Sequence, residues 1–147
     1  GSWTPHKVKL GVSGCPRNCA EATCKDVGVV CVDSGYQISV AGAAGMEVKE
    51  TEALVAVKTE DEVLEWVTAF IQLYRERAKY LDRPYKWVAK VGLDWVKDKL
   101  ADAVTRADLV ERFEISQSVY RTDPWAAEVA KSERYAPLAN LMLEAAE

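Results

Sequence analysis

The chain has 147 residues, 49% of them hydrophobic and 29% charged, with a formal net charge of −4 at pH 7. That balance suits one globular domain, or a domain piece with a helical extension, and rules out a disordered polyelectrolyte. Bases are interspersed with acids, no run approaches the roughly 18 apolar residues of a membrane span and no signal peptide opens the chain, so binding to nucleic acid or membrane is not expected and a cytoplasmic location is.

Gly1-Ser2 reads as a scar left by a protease in expression. Val8 to Ser13 is a short apolar stretch ending in a glycine turn, and Asn18 to Lys25 has the composition of one short helix, which predicts a strand-turn-helix start. Val27-Gly28-Val29-Val30-Cys31-Val32 and Tyr36-Gln37-Ile38-Ser39-Val40 are β-branched runs joined by Asp33-Ser34-Gly35, a tight antiparallel hairpin. Ala41-Gly42-Ala43-Ala44-Gly45 reads as a flexible loop of small residues, and Ala53 to Val57 as a further strand.

From Thr59 the spacing becomes helical. Thr59-Glu60-Asp61-Glu62 is a capping box, and Val63, Val67, Phe70 and Tyr74, with Leu64, Ile71 and Ala78 beside them, form one apolar face predicted to lie on the sheet. Glu65, Gln72, Arg75, Glu76 and Lys79 take the polar side. Arg83-Pro84 interrupts, and Tyr85 to Ala103 continues as helix, kinked or divided at Gly92, with its tryptophans and valines as core. A helix from about Ala107 to Val119 follows, and another begins at Asp123-Pro124. The expected fold class is α+β: a small mixed or antiparallel sheet carrying a strand-turn-helix cysteine motif, then a mainly helical layer. The expected boundaries are 1–2 for the scar, 3–58 for the sheet and cysteine region, and 59–147 for the helices.

The chemistry concentrates in Val12-Ser13-Gly14-Cys15-Pro16-Arg17-Asn18-Cys19. Gly14 permits a tight turn and Pro16 fixes one of its angles, so both sulfurs can face one centre with amide N–H groups nearby. Thiolates at such a place have lowered pKa values and suit an iron–sulfur cluster, yet a cubane takes four of them, so the pair reads as half a site. All four cysteines, at 15, 19, 24 and 31, fall in the first quarter of the chain. A disulfide framework and a zinc knuckle are disfavoured alternatives, the gaps of three, four and six residues fitting neither well, and Cys24 and Cys31 read as buried apolar-like side chains. The glycines at 42 and 45 lack the order of a nucleotide loop; they allow either close approach to a large planar cofactor or a plain hairpin loop. His6, the only histidine, has no partner at a suggestive spacing and reads as structural or exposed. Arg17 could set positive charge beside an anionic centre or simply cover surface.

The run Gly11 to Gly45, with Ser13-Gly14-Cys15-Pro16-Arg17-Asn18-Cys19-Ala20-Glu21 and Gly42-Ala43-Ala44-Gly45-Met46, resembles the second half of the sirohaem and 4Fe-4S domain of nitrite and sulfite reductases. Leu73-Tyr74-Arg75-Glu76 and Tyr85-Lys86-Trp87-Val88 extend the likeness toward the large subunit of NAD(P)H-dependent assimilatory nitrite reductase. The resemblance implies that Cys15 and Cys19 are the second cysteine pair of the cluster, that Cys19 also bridges to the sirohaem iron, and that Gly42 and Gly45 belong to the cofactor wall. It further implies FAD and NAD(P)H on other domains, the remainder of the large subunit and a small subunit as partners, and nitrite as substrate. By the same token the piece alone should be inactive, folded without metal, and prone to self-association. A sulfite reductase piece and a small zinc or redox-switch module are the competing readings.

Overall fold

Valine-rich strands build a four-stranded sheet in the order β1-β2-β3-β6, in a computed structural model that describes residues 2–121 with Asp123, Trp125 and Ala126. β1 is Leu10–Ser13, two residues shorter than predicted, β2 is Val27–Val32, β3 is Gly35–Val40, β4 is Ala43–Ala44, β5 is Val48–Lys49 and β6 is Glu52–Val57. β1 runs parallel to β2, with Leu10 opposite Val27 and Ser13 opposite Val30. β2 and β3 form the expected hairpin, closed by Val32 opposite Gly35, and β6 pairs antiparallel with β3 across an irregularity at Ile38/Ser39. The small-residue stretch is not a loop throughout: Ala43 and Ala44 pair with Lys49 and Val48 in a separate two-stranded ribbon.

No regular α-helix follows the first strand. Between Asn18 and Lys25 only a single 3-10 turn forms, Ala22–Cys24, and the predicted helix fails because Asn18 (φ 53°) and Glu21 (φ 54°) are left-handed. Left-handed residues break an α-helical hydrogen-bond ladder, and asparagine tolerates that conformation better than most side chains. The turn packs back over the sheet. A Cβ on Gly28 would stand 2.2 Å from the carbonyl oxygen of Ala22, so only glycine lets the turn approach the strand this closely. Gly28 alternates with Val27 and Val29, which belong to the core, so the turn covers one face of the sheet and the helices the other.

The helical layer comprises α1 (Glu60–Arg77), α2 (Pro84–Val91), α3 (Leu93–Ala101) and α4 (Ala103–Arg121). The capping box is present in full: Thr59 Oγ1 accepts from the Glu62 N–H at 3.2 Å and Glu62 accepts from the Thr59 N–H at 3.0 Å. The amides of Lys58 and Thr59 hold the Glu62 carboxyl below its ordinary range. Gly92, at φ 87°, divides the predicted long helix into α2 and α3. α4 starts four residues earlier than its spacing indicated, because Asp102 accepts from the Thr105 N–H at 3.0 Å and so caps it. The helix predicted from Asp123-Pro124 lies outside the described residues except for an Asp123 Oδ1 contact that accepts from the Trp125 N–H.

Sheet and helices share one core. Val27, Val29, Ile38 and Val40 meet Phe70, Leu73, Tyr74, Trp87 and Val88, while α1 packs along α4. Trp87 is its centre, with ring centroids 6.0 Å from Phe70, 5.7 Å from Tyr74 and 6.4 Å from Trp95, and its Nε1–H is buried without a partner among the described residues. The predicted face of α1 needs two corrections. Leu64 is 65% exposed, and Gln72, assigned to the polar side, is buried with its amide bonded to Glu76 and Arg75. α4 covers the flank of α1 that carries Gln72, which a single-helix periodicity does not encode.

A buried ion pair ties the two layers together. Asp26, fully buried, accepts from Arg83 at 2.7 and 2.9 Å and from the Lys9 N–H at 2.8 Å. Beside it the Tyr74 hydroxyl donates to the Asp82 carbonyl at 2.6 Å and accepts from the His6 N–H at 3.1 Å. Burial pushes the Tyr74 phenol up to about 12.

Candidate metal centre

β1 delivers the chain from buried Ser13 into an exposed reverse turn, in which the Asn18 N–H donates to the Cys15 carbonyl at 3.1 Å. Gly14, Pro16 and the two thiols of Cys15 and Cys19 are exposed, and all four cysteines of the chain are free. The amides of Arg17, Cys19 and Ala20 have no acceptor among the described residues. The turn therefore presents two soft donors and several unengaged N–H groups to whatever lies over it.

Asn18 holds this arrangement. Its Oδ1 accepts from Ser13 Oγ at 3.0 Å and from the Ala22 N–H at 2.7 Å, and its Nδ2 donates to Thr23 Oγ1 at 2.7 Å. One side chain thus ties the end of β1, the left-handed bend between the cysteines and the 3-10 turn. Three satisfied bonds to a half-buried amide make this a well-determined loop despite its small apolar content. The cysteine spacing does not by itself single out Asn18. Its signal was there: an asparagine beside a predicted turn is suited both to φ > 0 and to local side-chain bonding.

The remaining candidates separate. The thiols do not stand at an α-helix N-terminus, since none forms there. Cys24 and Cys31 are half-buried rather than buried; Cys24 Sγ donates to the Glu21 carbonyl at 3.2 Å, and Cys31 lies in β2 opposite Tyr36. Lys25 pairs with Glu21 at 3.2 Å, and that carboxylate holds its ammonium above the ordinary lysine value. Arg17 is exposed and has no ion pair among the described residues. The His6 imidazole accepts from the Lys7 N–H at 2.8 Å, and its backbone N–H donates to the Tyr74 hydroxyl.

Gly42 and Gly45 differ in kind. A Cβ on Gly42 would meet the Lys25 carbonyl at 2.5 Å and Thr51 Cγ2 at 2.6 Å, so its lack of a side chain is used by the protein's own backbone, against the 3-10 turn. Gly45 is exposed, with nothing within 4 Å of a Cβ. Both follow Val40, which pairs with Val27 and through it lies beside Leu10, whereas the cysteines follow Ser13.

The donor set fits half of a cubane's shell: two free, exposed thiols from one turn, where four are needed. Among the described residues no group of three or more His, Cys, Asp or Glu side chains could hold a metal ion, so neither a complete cluster cage nor a four-cysteine zinc knuckle assembles.

Comparison with known proteins gives the family. The family model of the nitrite and sulphite reductase 4Fe-4S domain matches residues 1–107. The NAD(P)H nitrite reductase of Bacillus subtilis is 47% identical over 122 residues, covering 83% of this chain and 15% of that protein. The NADH nitrite reductase large subunit of Escherichia coli is 35% identical over 104 residues, 69% of this chain and 12% of that protein. The assimilatory-type sulfite reductase of Nitratidesulfovibrio vulgaris is 32% identical over 93 residues, 63% of this chain and 43% of that protein. The chain thus spans about 15% or less of the length of the two nitrite reductases. With the match covering residues 1–107 of 147, the chain belongs to the nitrite and sulphite reductase 4Fe-4S domain family.

Proposed function

We propose that the chain is the second, C-terminal half of the sirohaem and iron–sulfur domain of an NAD(P)H-dependent nitrite reductase large subunit, and that Cys15 and Cys19 supply two of the four thiolates of a 4Fe-4S cluster. The observation that carries this reading is the exposed pair of free thiols on a turn held by Asn18, in a chain 47% identical over 122 residues to a nitrite reductase. Cys19 would also hold the sirohaem, and Gly45 would stand in the wall of the cofactor pocket with Gly42 buried behind it against the 3-10 turn. When bound, the cluster and sirohaem would supply the electron-transfer chemistry for reducing nitrite to ammonia, with FAD and NAD(P)H on other domains as the source of electrons.

The chain's own residues bind and orient. The two thiols must lose their protons to ligate iron, and the unengaged amides of Arg17, Cys19 and Ala20 are available to donate to anionic sulfur. Asn18 keeps the turn from rearranging. The other two thiolates, and the remaining cofactor contacts, come from other segments of the parent large subunit, so the isolated chain folds without metal and turns over no substrate. Leu10 and Val12, 57% and 64% exposed on the edge strand β1, leave apolar surface that favours self-association of the chain alone.

The test is made on the parent enzyme. Cys15→Ser and Cys19→Ser should each abolish bound iron and the visible absorption of the cluster while the polypeptide stays folded; wild-type iron content in both variants would refute the assignment. Stoichiometric zinc without iron after anaerobic reconstitution would instead favour a zinc module. Turnover of the parent with reduced nicotinamide should favour nitrite, and a preference for sulfite would reverse the choice of substrate. Sedimentation of the isolated chain as a strict monomer would count against self-association.

A further inference from the structure

Beside their shared contact, α1 and α4 leave an open groove of about 760 Å³. Its walls are two helical ridges. Asp61, Leu64 and Thr68 succeed one another turn by turn on α1, and Val110, Phe113 and Gln117 do so on α4. Two such rows side by side form the furrow into which the ridge of a third helix packs. We propose that the occupant is the chain's own C-terminal segment, residues 138–146, laid along the groove as that third helix. The proposal rests on neither Cys15 nor Cys19 and stands apart from the cluster reading.

The groove supplies the first argument. Leu64 is 65% exposed between α1 and α4, with Val110 and Phe113 only half-buried across from it, so the groove floor is apolar surface that lacks a cover. The charges at its rim are acidic. Glu65 is taken up by Arg106, but Asp61 and Glu114 form no ion pair among the described residues.

The segment supplies the second. Leu138, Leu141, Met142 and Ala145 recur at i, i+3, i+4 and i+7, the anchor spacing of a helix that lies in an apolar groove, and Pro137 before them suits a helix start. Residues 138–146 as a helix measure about 13 Å, against about 16 Å for the α4 wall from Val110 to Arg121. α4 ends at Arg121, itself a groove residue, so the chain beyond it departs from the groove's end. Residues 122–137 reach about 24 Å even as continuous helix, enough to bring Leu138 back along α4. Lys131 and Arg134, the only cations after Arg121, stand three residues apart on that return and complement the acidic rim. A tether of this kind presents the segment at an effective concentration on the order of millimolar, which favours it over a separate copy or partner.

Hydrogen exchange of the 147-residue chain, read by mass spectrometry, tests this. Peptides covering 138–146 should exchange about tenfold or more slowly than the same synthetic peptide free in solution. The full-length double variant Leu141→Asp, Met142→Asp should lose that protection, and so should Leu64→Asp on the groove side. Ile115→Asp, at a position 58% exposed on α4 but outside the groove, should keep it. Deleting residues 138–147 should shift the methyl resonances of Leu64 and Val110, and adding the synthetic peptide should restore them; the full-length variants carry the test if the shortened chain does not fold. Absence of protection, protection that survives Leu64→Asp, or equal loss in Ile115→Asp overturns the proposal. Protection that falls on tenfold dilution would assign the groove to a second copy and overturn the tethered docking.

Discussion

Ser13–Lys25 and the helical layer around Trp87 are held in different ways. The first is a mostly exposed loop whose shape comes from one polar side chain, Asn18, and from glycines that let backbone touch backbone. The second is ordered by apolar burial, with Phe70, Tyr74, Trp87, Val96, Leu100 and Leu109 all nearly solvent-free. Where a loop must leave its donors uncovered for a ligand, it cannot use those same side chains to fix itself, so hydrogen bonds carry the load that packing carries elsewhere. Asp26–Arg83 is the strap between the two regimes.

The contrast can be broken at graded points. Trp87→Ala should destabilise the chain by about 3–5 kcal/mol in denaturant unfolding, as expected for an emptied aromatic site at the centre of a core. A loss below about 1 kcal/mol would mean the sheet holds together without the helices. Asp26→Ala leaves the Arg83 guanidinium without its partner and should cost a similar 3–5 kcal/mol, whereas the double change Asp26→Leu, Arg83→Met should recover much of that; strict additivity in the cycle would show that the strap is no strap.

Next comes pH. The Tyr74 phenol ionises near 10 in the unfolded chain and is pushed up to about 12 in the fold. The stability this contributes is fully present below pH 10 and is lost as pH rises through 12, a total of about 2–3 kcal/mol. Unfolding followed between about pH 9 and 12 should show that decline, and Tyr74→Phe should flatten it.

Smaller again, Asn18→Ala should cost about 1–3 kcal/mol through the unpaired Ala22 amide and Ser13 hydroxyl, and should speed hydrogen exchange at Ala22 while leaving Trp87 fluorescence unchanged. A matching change at Trp87 would merge the two regions into one cooperative unit. The least effect on stability belongs to Cys15→Ser and Cys19→Ser, within about 0.5 kcal/mol of wild type, because exposed side chains that pack against nothing can be replaced freely. Those two silent positions are the ones whose loss should empty the parent enzyme of iron.

Features written in adjacent residues were legible. Thr59 with Glu62, Asp33-Ser34 before Gly35, Pro84 at a helix start and Gly92 between two helices each act within a few positions, and each does in the fold what its local chemistry predicts. That Cys15 and Cys19 share one exposed turn was legible in the same way, from Gly14 and Pro16 beside them. The helix expected over 18–25 was not formed, because Asn18 found a better use for its amide in three partners than a helix would offer. Leu64 and Gln72 exchanged their expected environments once α4 lay across α1.

What the amino-acid order determined alone is thus the class of fold, the hairpin, the caps and the two thiols, since all of these follow from torsional preference, periodicity or neighbouring atoms. Tertiary structure decided the rest. Asp26 and Arg83 are 57 residues apart, and Leu64 and Phe113 line one groove only when α1 and α4 are packed side by side. Long-range electrostatics and steric clearance depend on distances in space, and no local pattern encodes those until the chain has closed on itself.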